Sequence, residues 1–308
     1  MRDDFAIFIL SHGRPDVPTV KTMLNCGYTG KYYIFIDDED DKEEEYRKNF
    51  GDHIIQFSKK PMVGTFDLFD NFPQRNTVNF ARNMCFRKAR ELGIKYFAEF
   101  DDDYSKFSYR YLRESKENET GEEVSLGTLY IKDFDSVCNA MIEFLDNSGA
   151  RCIAMAQNGE MQGGALGRVW VYHARRKSMN TFFFKVTDNP EEDVWFIGRM
   201  NDDVNTYVNG GRHGELWYQN ARLNVLQGIT QANKSGLTDM YKQFGTYNKS
   251  FYTVMLDPSA VKVGVLGTGE NGGRMHHRIF WNFAVPYLLN EKWKKNREGK
   301  YEIKNRRI

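Results

Sequence analysis

The chain has 308 residues, 41% hydrophobic and 28% charged, which suits one large α/β domain of ordinary globular composition. The formal net charge of +1 excludes a molecule built as a whole for binding polyanions, and four scattered cysteines exclude a disulfide framework or a zinc ribbon. Because no apolar run approaches the roughly 20 residues of a membrane span and no signal-peptide pattern is present, we expect a soluble protein of a reducing cytoplasm without a membrane partner.

The first hundred residues alternate between strand and helix patterns. Thr77–Leu92 has helical spacing, and Tyr96–Phe100 is a strand that runs into three aspartates. This alternation predicts an α/β fold with a mostly parallel central sheet flanked by helices. The earlier predicted elements are strands at Phe5–Leu10, Tyr32–Ile36 and His53–Phe57 and helices at Val17–Cys26 and Lys42–Phe50.

The pattern is looser in the second half of the chain. Residues 209–250 are polar and rich in turn-forming residues, with a helix predicted near Leu237–Phe244. The remaining predicted helices are Ile131–Leu145, a helix from Asp202 to Val208, and Ile279–Glu291, and the predicted strands are Arg151–Ala156, Thr181–Val186 and Val194–Gly198.

Three polar clusters directly follow predicted strands, at Ser11–Asp16, Asp37–Asp40 and Asp101–Asp103. Open α/β sheets bind ligands beyond the carboxyl ends of their strands, so we expect these clusters to meet in one site. Three adjacent aspartates repel one another, and a hard divalent cation would offset their charge while leaving positions for phosphate oxygens. The alternative is that one aspartate caps a helix and the others face water.

Several short motifs resemble those of the GT-A glycosyltransferases. NFARN at residues 79–83 opens a helix that leads to YFAEFDDD at residues 96–103, as the "ARN" and "DxD" elements of those enzymes do, and IFILSHGRPD is similar to their first strand and nucleotide loop. The resemblance covers residues 5–105 well and the remainder weakly. It implies a GT-A-like, Rossmann-type fold, with residues 1–150 as the nucleotide-sugar-binding half and residues 151–308 as the acceptor-side half and C-terminal extension of the same compact domain.

The resemblance implies roles for individual residues. Asp101 and Asp103 would hold Mn²⁺ or Mg²⁺ against the donor diphosphate, although the pattern leaves open which two of the three aspartates bind it. Arg82 would neutralise a phosphate or orient Asp101, and a salt bridge on the helix surface is the alternative. The nucleotide, which we expect to be that of a UDP-sugar, would contact Ser11, Gly13, Arg14 and either Asp37 or Asp38.

The second half would supply the acceptor side. Asp202 and Asp203 are the candidates for a general base that deprotonates the acceptor hydroxyl of an inverting enzyme, and capping of a helix by Asp202 is the alternative. Gly163 and Gly164 would let the backbone approach the donor sugar, or would form a plain flexible loop. His276 is the candidate third metal ligand, and a structural or surface histidine is the alternative.

The whole pattern, with SHGRPD, FDDDY and a long aromatic second half, looks like the TET-associated glycosyltransferases of bacteriophages. That resemblance implies 5-hydroxymethylcytosine in phage DNA as the acceptor and the host cytoplasm as the location. Phosphate contacts and base stacking would then be needed. The candidates are Arg168, the run 175–177, Arg212 and the basic tail 291–308 for phosphates, and Trp170, Trp195 or Trp217 for stacking, with burial in the core as the alternative for the tryptophans.

Three other functions remain open. A glycosyltransferase for polysaccharide or protein acceptors would have no affinity for DNA. A noncatalytic nucleotide- or metal-binding module would bind UDP-sugar without turnover. A nucleotidyltransferase is disfavoured, because SHGRPD has one glycine and no lysine where such an enzyme favours a loop rich in both. The sequence leaves the sugar, the stereochemical outcome and the oligomeric state undetermined.

Overall fold

The computed structural model describes residues 1–114, 124–157, 178–227, 248–266 and 274–284. The strands are β1 (Phe5–Leu10), β2 (Lys31–Asp37), β3 (Ile54–Phe57), β4 (Tyr96–Asp101), β5 (Tyr104–Glu114), β6 (Val124–Tyr130), β7 (Cys152–Gln157), β8 (Phe182–Lys185), β9 (Trp217–Gln227), β10 (Val261–Leu266) and β11 (Arg274–Ile279). The α-helices are α1 (Pro18–Asn25), α2 (Glu43–Phe50), α3 (Asn79–Glu91), α4 (Phe134–Ser148), α5 (Asp202–Arg212), α6 (Asn248–Leu256) and α7 (Trp281–Ala284).

Nine of these strands form one sheet in the order β3-β2-β1-β4-β8-β7-β9-β5-β6. The first four strands in that order are parallel, β7 is parallel to β9, and the other pairings are antiparallel. The predicted α/β architecture with a central sheet flanked by helices is confirmed, and its second half adds antiparallel strands. Strands from both sides of residue 150 share this sheet, and β10 and β11 form a separate hairpin.

Strand β1 lies at the centre of the core. All six residues of Phe5–Leu10 are at most 6% exposed, as the continuous apolar run predicts for a strand covered on both faces. Its odd-numbered residues pack with the apolar residues of α1 and α4, and its even-numbered residues pack with those of α3 and α5. The sheet therefore lies between two helical layers, and the carboxyl ends of β1 and β4 meet where Leu10 pairs with Asp101.

The predicted strand at Val194–Gly198 is wrong, because this segment pairs with no strand that the structure describes. A side chain of α3 makes the hydrogen bonds that a neighbouring strand would make. The side chain of Asn83 on α3 accepts a hydrogen bond from the Phe196 amide at 2.7 Å and donates one to the Phe196 carbonyl at 3.0 Å. These bonds satisfy the buried backbone of an extended segment without a sheet ladder.

Two further predictions in the second half need correction. The stretch 209–250 is not uniformly turn-like, since α5 continues to Arg212 and β9 occupies 217–227 in the middle of the sheet. Some buried positions of β9 hold polar residues, such as Gln219 and Asn224. The sequence of β9 therefore lacks the alternation of apolar and polar residues that would predict a strand. In the segment Ile279–Glu291, Ile279 belongs to β11 and a helix begins at Trp281, and residues 285–291 lie outside the described residues, as does Leu237–Phe244.

A buried arginine joins the loop before α3 to the segment before α5. Arg199 is 0% exposed, and its Nε and Nη2 donate to the two carboxylate oxygens of Asp70 at 2.7 and 2.9 Å. Its guanidinium also donates to the carbonyls of Phe72 and Gln74, and Tyr252 of α6 donates to Asp70 at 2.6 Å. This network satisfies a charge that burial would otherwise make very costly.

We predict that Arg199→Met lowers the free energy of unfolding by about 3–5 kcal/mol, since it leaves the Asp70 carboxylate buried without its cation. Urea unfolding of both proteins measures the difference. The matched control is Arg87→Met, which removes an i,i+4 pair with Glu91 from a side chain that is 71% exposed and should cost less than about 1 kcal/mol. Equal losses in the two variants would contradict a structural role for the buried pair.

Candidate active site

A cavity of about 1060 Å³ opens at the carboxyl ends of β1, β2 and β4, where the sequence places its polar clusters. Gly13 and Asp38 do not line it, and Gly163 and Gly164 lie outside the described residues. The predicted site residues in its wall are Ser11, Arg14, Asp37, Arg82, Asp101, Asp103, Asp202, Asp203 and His276.

The aspartate triplet sits in the turn between β4 and β5, and α1 holds that turn in place. The buried Thr19 hydroxyl donates to the carbonyl of Asp101 at 2.7 Å and accepts from the amide of Tyr104 at 2.8 Å. The Thr19 amide donates to the carbonyl of Asp102. The first turn of α1 therefore holds the backbone of the triplet in place.

Asp101 has partners of its own, whereas Asp102 and Asp103 share Arg14, whose Nη1 also lies 3.7 Å from Asp103 Oδ2. Asp102 accepts hydrogen bonds from the Ser11 hydroxyl at 2.6 Å and from Arg14 Nη1 at 2.5 Å. Asp101 accepts from Arg82 Nη2 at 3.2 Å and from Gln227 Nε2 at 3.0 Å. Asp103 Oδ1 is buried without a hydrogen-bond partner in the described part of the chain. Such an unpaired carboxylate oxygen is costly in a protein interior, and a ligand that binds it would remove that cost.

Arg82 connects the triplet with Asp202 at the start of α5. It is 3% exposed, and its three nitrogens reach Asp202 Oδ2 at 3.0 Å, Asp101 Oδ1 at 3.2 Å and Glu99 Oε2 at 3.3 Å. A salt bridge on the helix surface is therefore the wrong interpretation of Arg82. The capping role considered for Asp202 is also wrong, because Asn201 precedes α5 and the Asp202 carboxylate is bound to Arg82.

Burial dominates the electrostatics of this cluster. Desolvation raises the pKa of Asp101 to about 7, against the opposing effect of Arg82 and with repulsion from Asp103 and other aspartates adding to it. Burial likewise raises the pKa of Asp102 to about 6, although Ser11 and Arg14 stabilise its charged form. It also raises the pKa values of Asp202 and Glu99. The cluster would thus gain from an additional cation, and hard carboxylate oxygens are ligands that Mn²⁺ and Mg²⁺ accept.

The histidine pair lies on β11 and lines the same cavity. The rings of His276 and His277 are 4.1 Å apart, and Asn201 Nδ2 is 3.1 Å from His277 Nδ1. In the described ranges of the chain, no three acidic, histidine or cysteine side chains lie close enough together to form a metal site. His276 thus shares the cavity with Asp101 and Asp103 without joining them in one ligand group.

The loop after β1 is bound to the end of β2. His12 Nδ1 lies 2.9 Å from Asp37 Oδ2, and Lys59 Nζ lies 2.8 Å from Asp37 Oδ1. The hydrogen bond with Asp37 raises the pKa of His12. Burial acts to raise the pKa of Asp37, but the bonds of Asp37 with His12 and Lys59 outweigh burial, so the pKa of Asp37 is lowered. Gly13 instead donates its amide to Asp40 at 2.7 Å, and the exposed Asp38 accepts from the Lys59 amide, so these two residues shape the loop.

Sequence reasoning missed carboxamide side chains in the cavity wall, among them the mutually bonded Gln157, Asn180 and Gln227. Gln157 and Gln227 end the parallel strands β7 and β9, so the rule that ligands bind at strand ends applies to them too. The signal was available for Gln157, whereas Gln227 lies in the stretch that the sequence suggested was turn-rich.

The residues considered for nucleic-acid contact have different locations. Trp217 is 5% exposed and packs edge-on against Phe182 and Phe184, so its interpretation as a stacking platform is wrong. Trp195 is 43% exposed and lies against Phe66 outside the main cavity wall. Arg212 lies 3.8 Å from Asp257. Arg168, Trp170, the run 175–177 and the tail 291–308 lie outside the described residues.

Comparison with known proteins places these observations in a family context. The family model described as TET-Associated Glycosyltransferase matches residues 5–236. Among solved structures, the chain is similar to the mannosyltransferase PcManGT from Pyrobaculum calidifontis in complex with GDP-Man and Mn²⁺, with 10% identity and a TM-score of 0.47 over 76% of this chain. That match covers 59% of the mannosyltransferase, so this chain spans less than two thirds of its length.

A second structural match is more distant. A protein described as a candidate UDP-N-acetylglucosamine pyrophosphorylase from Entamoeba histolytica is 10% identical with a TM-score of 0.28, over 91% of this chain and 70% of its own. No curated protein matches this chain. Within the described ranges, no helix combines the length and apolar character that crossing a bilayer requires.

The raised pKa of Asp101 predicts a pH-dependent cost of folding. An unfolded aspartate titrates near pH 4, so between about pH 4 and 7 the folded protein holds an extra proton on Asp101 and its stability falls as pH rises. In the presence of a chelator, the free energy of unfolding of the wild type should fall between about pH 5.5 and pH 8 as Asp101 loses its proton. Asp101→Asn has no such proton to lose, so its decrease over the same range should be smaller by about 1–2 kcal/mol. Asp52→Asn removes an exposed carboxylate as the control, and identical pH profiles for Asp101→Asn and wild type would contradict the prediction.

Proposed function

The chain belongs to the TET-associated glycosyltransferase family, and we propose that it transfers a sugar from a nucleotide diphosphate sugar to a hydroxyl acceptor in the cavity at the strand ends. The observation that carries this proposal is the junction of two acidic elements at Arg82. Asp101 of the triplet and Asp202 of the acceptor-side pair bind the same guanidinium. A donor diphosphate and an acceptor hydroxyl held at these two elements would therefore lie side by side.

Asp101 and Asp103 would hold a divalent cation, Mn²⁺ or Mg²⁺. Asp102 is bound to Ser11 and Arg14, whereas Asp103 has a buried oxygen without a hydrogen-bond partner among the described residues, which favours Asp103 over Asp102 as a ligand. Because the described side chains supply too few close ligands for a complete site, diphosphate oxygens and water would fill the remaining positions. The cation would offset the charge that develops on the departing diphosphate.

The nucleotide would bind over the loop after β1. Asp37, which keeps its charge through His12 and Lys59, offers carboxylate oxygens to the hydroxyl groups of a ribose or to the base. Arg14 lines the cavity beside Asp102 and can contact a phosphate oxygen. We propose a UDP-sugar as the donor, and Gly163 and Gly164 remain candidates for a close backbone approach to its sugar.

Asp203 is the stronger candidate for the general base of an inverting transfer. Asp202 is 8% exposed and its Oδ2 is bound to Arg82, which ties its charge to the guanidinium. Asp203 also lines the cavity. Among the described residues, its carboxylate accepts a hydrogen bond at Oδ1 from the Val204 amide at 2.8 Å. Asp202 would then position Arg82 and the start of α5.

The acceptor that we propose is 5-hydroxymethylcytosine in DNA, and this step rests on the family of the chain. A cavity of about 1060 Å³ is at the upper end of the range for small-molecule sites. It offers room for a nucleotide sugar together with an extruded nucleoside, as chemistry on a base requires. Polysaccharide or protein acceptors are the alternative within the same enzyme class.

A donor and acceptor screen tests the proposal. The protein is incubated with Mn²⁺ and a panel of nucleotide sugars, with and without DNA containing 5-hydroxymethylcytosine, and release of nucleoside diphosphate is measured. We expect release that depends on the modified DNA and falls at least about 100-fold in Asp103→Asn, because the cation loses a ligand. Asp52→Asn is the matched control and should retain full activity.

Each other outcome of the screen has a meaning. Release that is independent of DNA would remove the DNA acceptor and leave a transferase for other hydroxyl groups. Binding of nucleotide sugar without release under any condition would favour a noncatalytic binding module and overturn the proposal.

The assignment of the base gives a second prediction. Asp203→Asn should lower kcat by about 10²- to 10⁴-fold, the usual contribution of general base catalysis, while the Kd for UDP stays within about twofold. Single-turnover measurements and isothermal titration provide the two values. A variant that keeps more than half of the wild-type kcat would exclude Asp203 as the base.

A further inference from the structure

Three carboxamide side chains from separate elements meet beside the aspartate triplet. Gln227 Oε1, at the end of β9, accepts from Gln157 Nε2 at 3.0 Å and from Asn180 Nδ2 at 2.6 Å. Gln227 Nε2 donates to Asp101 Oδ2 at 3.0 Å. We call Gln157, Asn180 and Gln227 the amide cluster. It lines the cavity and contacts the carboxylate oxygen of Asp101 that Arg82 does not contact.

The geometry of the amide cluster is fixed by buried neighbours. The fully buried Tyr104 donates its hydroxyl to the Asn180 carbonyl, and the next residue, Thr181, accepts from the Met155 amide at 2.8 Å. Asn180 has a left-handed backbone with φ of 62°, which asparagine tolerates better than most residues. The amide cluster is therefore a preorganised wall, built from the ends of β7 and β9 and from Asn180, two residues before the start of β8.

The hydrogen bonds also determine which groups the cluster offers to a ligand. Because Gln227 Oε1 accepts two N–H groups, its Nε2 must face Asp101. Gln157 and Asn180 use an N–H each to hold Gln227. The carbonyl oxygens of these two side chains and their second N–H groups take no part in the cluster. Among the described residues these groups have no other hydrogen bond, so each side chain keeps a donor and an acceptor, which is the combination that a hydroxyl group matches.

We propose that the amide cluster binds hydroxyl groups of the transferred sugar, with Asn180 and Gln157 as specificity-determining residues. This inference rests on the proposed function, because the sugar of a nucleotide sugar is joined to the diphosphate that we place at Asp101. The cluster is uncharged and adjoins a carboxylate, so it suits a neutral, hydroxyl-rich sugar and disfavours one that carries a carboxylate of its own.

The test compares each nucleotide sugar with its nucleoside diphosphate. Isothermal titration with Mn²⁺ measures the Kd values of UDP-glucose and UDP, and of GDP-mannose and GDP, for wild type, Asn180→Gly and Gln157→Leu. Glycine is chosen at 180 because it accepts the left-handed backbone without strain. The matched control is Gln56→Leu, since Gln56 bonds to Glu43 and does not line this cavity.

We expect both cluster variants to weaken binding of the preferred nucleotide sugar about fivefold, as for one lost neutral hydrogen bond, with the Kd of the matching diphosphate within about twofold of wild type. Gln56→Leu should change neither value. Equal weakening of sugar and diphosphate, or no change in either, would overturn the inference while leaving the proposed function intact. If wild-type protein with a native thermal transition binds none of the four compounds, the proposed function fails first and the inference with it.

Discussion

The site depends on one buried guanidinium that holds carboxylates from two distant parts of the chain together. Arg82 binds Glu99 and Asp101 of β4 and Asp202 of α5, and the rings of Phe182 and Phe196 lie within about 5 Å of its charge. A buried ion is tolerated only when its partners are well placed, so Arg82 constrains β4 and α5 relative to each other. It thereby constrains the distance between Asp101 and Asp202.

The surrounding elements supply what Arg82 alone cannot provide. Thr19 fixes the backbone of the aspartate turn, and Arg14 with Ser11 compensates Asp102. The same Arg14 nitrogen also lies 3.7 Å from Asp103. Burial still raises the pKa values of Asp101 and Asp102, which means that the protein alone stabilises their charges incompletely. This residual cost is what a bound cation would relieve, and cation binding would then release protons below neutral pH.

The first half of the chain was predictable because its signals are local. Buried strands such as Phe5–Leu10 are continuous apolar runs, and the rule for strand ends then brings Ser11, Asp37 and Asp101 to one edge of the sheet. The second half depends on tertiary contacts that leave no local pattern. Phe196 is extended because Asn83 binds it, and β9 is a central strand despite polar residues at its buried positions. Gln227 could therefore not be identified before its strand was known.

The two sides of Asp101 show how the fold separates charge compensation from recognition. On one side Arg82 carries the charge that makes a buried carboxylate tolerable, and on the other Gln227 contributes a neutral hydrogen bond. A second cation in place of Gln227 would compete with a metal for the same oxygens, whereas an amide donor orients the carboxylate without neutralising it. The same amide accepts hydrogen bonds from Asn180 and Gln157, so the carboxylate that we propose as a metal ligand lies next to the side chains that we propose for the sugar.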